Sequence, residues 1–136
     1  MIQNHPRTSE EIEAQLRKWS EDAEAIMRLY LEGRQMVASR VPEARDLFRT
    51  LKEELDTEYR RMDTIKGEAS LSRLASAFYR PAVQDAWANS GLSSVRWNSR
   101  PDHTWFDALY QVRFYMRYWS NDLKQLEKEP QAVVVP

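Results

Sequence analysis

The sequence predicts an all-α protein, a four-helix up-and-down bundle with a kinked third helix. Two observations carry this. Apolar residues recur in alternating steps of four and three over three long stretches, the spacing of a helix buried along one side. The breaks between stretches hold Pro42, Gly67, Gly91 and Pro101, and the connections are mostly short, as between antiparallel neighbours. A chain of 136 residues suits a single domain with one core, taken here as 1–136 with flexible tails at 1–7 and 130–136.

The first helix is expected at about 9–39. Thr8 and Glu11 form a capping box, and Glu10 and Glu11 suit the positive end of the helix dipole. Ile12, Leu16, Trp19, Ala23, Ile26, Tyr30, Gly33 and Val37 make its seam, widened by Met27 and Leu31. Val41-Pro42 breaks it. The second helix, about 43–65, has Phe48, Leu51, Leu55, Glu58, Met62 and Ile65 on its seam and a densely charged outer face, with Gly67 as its stop. The third, about 70–89, is capped by Ser70 and carries Leu71, Leu74, Ala75, Phe78, Ala82 and Ala86. Pro81 falls in its middle, where a proline removes a backbone bond, so a kink is expected near Arg80. Ser90-Gly91 ends it. The connection at 91–101 is long, and its Trp97 is expected to pin it to the core.

The fourth helix, about 103–128, organises the rest. Trp105, Leu109, Val112, Met116, Trp119, Leu123 and Leu126 form an unbroken heptad seam, and Leu109, Val112, Met116 and Trp119 are assigned to the core. Asp102 or Thr104 is placed at its cap, and Pro130 ends it by Glu129. A second apolar row, Phe106, Tyr110, Phe114 and Tyr118, recurs every four residues with Arg113 and Arg117 between. A helix apolar nearly all round is either central in its own fold or shared with a partner.

Composition narrows the function. The chain has no cysteine, hence no disulfide, thiol nucleophile or thiolate metal site. No apolar run approaches the roughly 20 residues that span a bilayer, and the N-terminus lacks a signal-peptide core, so a cytoplasmic protein without membrane contact is expected. The net charge of −1 favours neither nucleic acid nor membrane. Its distribution is uneven: from Ala69 to Trp119 there is neither Lys nor Glu, six arginines face three aspartates, and eleven of the fifteen aromatics fall there. Arg and aromatic residues without Lys or Glu are what protein interfaces concentrate.

Glu21-x-x-Glu24 followed by Glu53-x-x-Asp56 resembles the ExxE…ExxD magnesium motif of the all-helical nucleotide pyrophosphohydrolases. That resemblance implies carboxylates turned into a bundle to hold metal against a triphosphate. The heptad phase opposes it. With Leu16 and Trp19, or Phe48 and Leu51, as a and d, the four carboxylates fall on f and b positions, facing solvent and away from each other. His5 and His103 lack a Glu-x-x-His partner, and three glycines make no phosphate loop. No catalytic residue, metal or cofactor is therefore expected.

The expected function is a non-catalytic interaction or scaffold subunit. Its partner surface is assigned to Arg96, Trp97, Arg100, Tyr110, Arg113, Phe114, Arg117 and Tyr118. A protein partner or self-association is the first expectation. A second branch is a nucleoprotein assembly, with Arg96, Arg100, Arg113 and Arg117 on phosphates and Trp97 or Tyr118 stacked on bases. By size and helical class the chain resembles the small subunits lining RNA-guided CRISPR effector complexes. The alternatives are the magnesium-dependent pyrophosphohydrolase and an inhibitor or immunity-type protein that binds one protein.

Overall fold

The structure, a computed structural model, describes residue 6 and residues 8–31, 41–98 and 103–128. The expectations for 32–39, for Arg100 and for the QAVVVP tail lie outside these residues. The described residues are helical, without a strand. Five α-helices occur among them: α1 Ser9–Leu31, α2 Val41–Met62, α3 Ile65–Ala69, α4 Arg80–Gln84 and α5 His103–Lys128.

The capping box at the start of α1 forms in full. Thr8 N–H donates to Glu11 Oε1 at 3.0 Å and Glu11 N–H donates to Thr8 Oγ1 at 3.1 Å, so two free donors are met reciprocally. The seam Ile12, Leu16, Trp19, Ala23 and Ile26 is buried, with Met27 beside it. On α2, Phe48, Leu51, Leu55 and Met62 are buried.

The end of α2 departs from expectation. Ile65 is 91% exposed and belongs to α3, because the chain breaks after Met62 and restarts under a new cap. Thr64 Oγ1 accepts from Gly67 N–H at 2.8 Å and donates to Arg61 O at 2.9 Å. Gly67 is therefore not a stop. It is buried inside α3, where an added Cβ would lie 1.7 Å from Arg61 O. Ser70 caps the C-terminal end of α3, donating to Gly67 O at 2.7 Å, and Ser72 takes the N-terminal role expected of Ser70, accepting from Ala75 N–H at 3.1 Å.

The chain is helical from 73 to 89. Pro81 is accommodated through a widened turn: a π segment, Ala75–Tyr79, runs up to α4, and Arg80 N–H reaches back five residues to Ala75 O. The proline has no N–H to donate, and its ring crowds the carbonyl four residues earlier, so looser winding ahead of it relieves both problems. A second π segment, Asp85–Asn89, follows, and Ser90 N–H bonds to Asp85 O at 2.9 Å. Gly91 ends the helix in the left-handed region, φ 86°, as a C-terminal glycine does. The following 3₁₀ turn, Leu92–Ser94, is anchored by buried Leu92 and half-buried Val95. Trp97 does not pin this connection as expected, being 37% exposed.

The largest side chains of the core are Trp19, Phe48, Tyr79 and Trp105. Phe48 meets Trp105 edge-on at 4.3 Å, and Trp19 stacks on Tyr79 at 6.0 Å. α1 and α5 run in opposite directions. Glu13, early in α1, meets Ser120 and Lys124, while Glu24, further on, meets Arg113 and Arg117. Leu109, Val112, Met116 and Leu123 are buried as expected. Trp119 is only half-buried, and so is Leu126. A strict heptad drifts about 20° per repeat on a straight helix, which carries the end of the seam toward one flank. There Trp119 meets Phe78 edge-on at 6.3 Å and donates its indole N–H to Asp85 at 2.8 Å.

Candidate partner-binding face

The outward side of α5 carries the second apolar row. Tyr110 is 46% exposed, Phe114 54% and Tyr118 54%, which makes them three of the large hydrophobic side chains left open to solvent. Phe106, one turn earlier, is half-buried and packs against the core. Four-residue steps advance about 6 Å along a helix, so the three exposed rings form a row some 12 Å long. Local contacts hold them: Phe106 stacks on Tyr110 at 6.5 Å, Phe114 meets Tyr115 at 5.6 Å, and Tyr118 meets Trp119 at 5.2 Å.

Arg113 and Arg117 flank the row on the side toward α1. Both donate to Glu24 Oε2 at 3.1 Å, and Arg28 approaches Oε1 of the same carboxylate at 3.5 Å. One carboxylate thus holds three guanidiniums. Partial burial alone would raise the Glu24 pKa, but the charge of Arg117, the hydrogen bond from Arg113 and the charge of Arg28 together hold it below the ordinary carboxylate value. The Arg113 guanidinium also lies 5.3 Å from the Tyr110 ring centre, so the arginine row and the ring row are coupled. Further along, Glu13 is shared by Arg17 at 2.8 Å and Lys124 at 3.7 Å. A cleft of about 280 Å³ opens between α1 and α5 beside this flank, lined by Arg17, Glu21, Arg117, Asn121 and Lys124 among others.

Of the eight residues assigned to a partner surface, the structure brings together Tyr110, Arg113, Phe114, Arg117 and Tyr118. Arg100 lies outside the described residues. Trp97 sits elsewhere, with the Arg49 guanidinium of α2 at 5.3 Å from its ring, and Arg96 beside it is exposed. Sequence reasoning missed Glu24, Arg28 and Lys124 as members of the flank. The signal was present in the antiparallel pairing of α1 with α5, which sets the turns of one helix against those of the other in reverse order.

The four carboxylates of the ExxE…ExxD pattern take separate places. Glu24 does not face free solvent as its heptad position implied, because Arg113 and Arg117 of α5 reach it on that flank. Glu21 lines the cleft between α1 and α5, whereas Glu53 lines a different cleft, between α1 and α2. Asp56 is paired with Arg60 at 2.7 Å. No group of three or more His, Cys, Asp or Glu side chains among the described residues is disposed to hold a metal.

The α1–α2 cleft, about 380 Å³, has Tyr79 in its lining. Its polar walls are tied to one another. Trp19 Nε1–H donates to Glu54 at 3.1 Å, Lys18 donates to the same oxygen at 3.2 Å, and Glu58 accepts from the Tyr79 hydroxyl while pairing with Arg61 at 2.9 Å. Burial, and then the Glu58 charge and hydrogen bond, push the Tyr79 phenol far above its usual pKa. This arrangement fixes the packing of α1, α2 and the π segment. No helix of the described residues is long and apolar enough to cross a membrane. No protein-family model matches the chain, and comparisons with curated proteins and with solved structures return no match.

Proposed function

We propose that this chain is a non-catalytic interaction subunit that works in the cytoplasm and docks a partner on the outward face of α5. One observation carries the reading: three large rings stand half exposed in a row, beside arginines fixed by a shared carboxylate. The Leu109, Val112 and Met116 side of the same helix already supplies its main packing, so the three exposed rings are not needed to build the core. Tyr and Arg are the residues on which binding energy concentrates at interfaces. The arginines are pre-set by Glu24, which lowers the ordering cost of an encounter.

The frame that presents this face is read as a four-helix up-and-down bundle with the third helix kinked at Pro81. A helix bent there leaves the outer row of α5 uncovered. The partner is a component of a nucleoprotein assembly or, in the manner of an inhibitor, a single protein. Glu24 is committed to three arginines, which counts against a magnesium site at Glu21, Glu24, Glu53 and Asp56.

The test compares the wild-type chain with a Tyr110→Ala, Phe114→Ala, Tyr118→Ala variant in affinity isolation from the native cells. The variant is expected to melt close to the wild type and to lose the specifically retained component. Retention of the same component at the same level would refute the assignment.

A further inference from the structure

We infer that the α5 face takes single-stranded nucleic acid, with phosphates along the arginine flank and bases laid on the ring row. This rests on the partner-binding reading above and names the class of partner.

Charge comes first. Arg28, Arg113 and Arg117 share Glu24, and Arg17 and Lys124 share Glu13. Five cations therefore meet two carboxylates, and Glu21 in the adjoining cleft leaves the flank two charges positive. The surplus is confined to one side of the rings. On the opposite side of the row lie exposed Asp107 and half-buried Gln111, and exposed Asp122 continues the row one turn beyond Tyr118. The face thus has a cationic edge beside a strip of flat apolar surface.

A single strand of nucleic acid has the matching asymmetry, with anionic phosphates along one side and flat bases on the other. Bases stack on exposed aromatic rings whatever their sequence, and Arg and Lys hold the backbone. The cleft beside the arginines also favours this partner. Its lining includes Arg117, Asn121 and Lys124, donors suited to phosphate oxygens, beside Glu21 and Glu24. The rings form an open ridge of flat surface, the shape on which unstacked bases lie. An overall charge of −1 keeps the binding local and weak for one copy.

The test is fluorescence anisotropy of the full chain with a fluorescein-labelled 12-nucleotide oligouridylate at low salt, beside a duplex of equal length and a 12-residue oligo-aspartate. Binding of the single strand is expected, with weaker binding of the duplex, whose bases are already stacked. Phe114→Ala should weaken the single strand roughly 5- to 150-fold, as loss of one stacking ring does. Arg117→Gln should reduce the slope of log K against log salt by about 0.7, the loss of one phosphate contact. A melt of each variant close to the wild type assigns these losses to the surface.

No single-strand binding, or binding that Phe114→Ala leaves unchanged, overturns the inference. So does ring-dependent binding of oligo-aspartate in place of the oligonucleotide, or a dimer abolished by the ring substitutions in sedimentation. In those last two cases the partner-binding reading survives with a peptide or a second copy as occupant. Should ring substitutions change neither this titration nor the material isolated from cells, both readings fall together.

Discussion

Leu109→Ala and Phe114→Ala remove large apolar side chains five positions apart on one helix, and they should have opposite consequences. Leu109 is 1% exposed and belongs to the core. Its substitution removes three buried carbons, about 2.4 kcal/mol at roughly 0.8 kcal/mol each. The cavity left behind raises the cost toward about 5 kcal/mol where the surroundings cannot close. For a chain of this length that corresponds to a fall in Tm of about 8–20 °C. Phe114 is 54% exposed, so less than half of its surface leaves water on folding. The lost burial is about 1 kcal/mol, and the better helix propensity of alanine offsets about half of it. Its Tm should stay within about 3 °C of the wild type. Thermal and urea unfolding followed by circular dichroism at 222 nm read both variants on one scale. Equal losses from the two substitutions would show that the outer row is covered, and an unchanged Leu109→Ala protein would show that the seam is misassigned.

Gly67→Ala should destabilise the protein by about 1–3 kcal/mol or more, because the new Cβ would lie 1.7 Å from the Arg61 carbonyl oxygen and force α3 away from α2; chemical denaturation measures it. Tyr79→Phe leaves the ring but removes the hydroxyl that donates to Glu58, and should cost about 1.5–3 kcal/mol near neutral pH. The Tyr79 pKa is raised on folding, so the native state keeps this proton when the unfolded chain begins to lose it near the ordinary phenol value of 10.0; stability should fall as pH rises above that point, less steeply in Tyr79→Phe. Glu24 behaves oppositely, since its pKa is lowered. Its contribution is present above the ordinary carboxylate value of 4.5 and lost as pH falls through the folded value, so Glu24→Gln should flatten the acid limb of a Tm–pH profile.

Much of the architecture was legible because it depends on local pattern. The Thr8–Glu11 box, the seams of α1 and α2 and the buried side of α5 follow from spacing and cap chemistry, which the sequence states directly. Ile65 and Gly67 were misread because a capping threonine three residues ahead of a glycine competes with the glycine's more common role as a stop. Nothing in the sequence marks the two π segments; the first, Ala75–Tyr79, answers a conflict between the donor missing at Pro81 and continued helical packing. The ring row was found as a periodicity of four, yet whether anything covered it depended on tertiary packing. Glu24 falls on a solvent position of the heptad because the heptad phase describes the seam alone, whereas long arginines of α5 reach round to the flank beside it.

Hydroxyl-radical footprinting of the chain, free and in its isolated complex, asks most directly whether the outer face of α5 is the binding face. In the free chain Tyr110, Phe114 and Tyr118 should be modified readily, in keeping with their 46%, 54% and 54% exposure. In the complex their modification should fall severalfold, while half-buried Tyr59 and Phe78 keep their free-state rates. An intact complex in which those three rings are modified as fast as in the free chain would contradict the assignment.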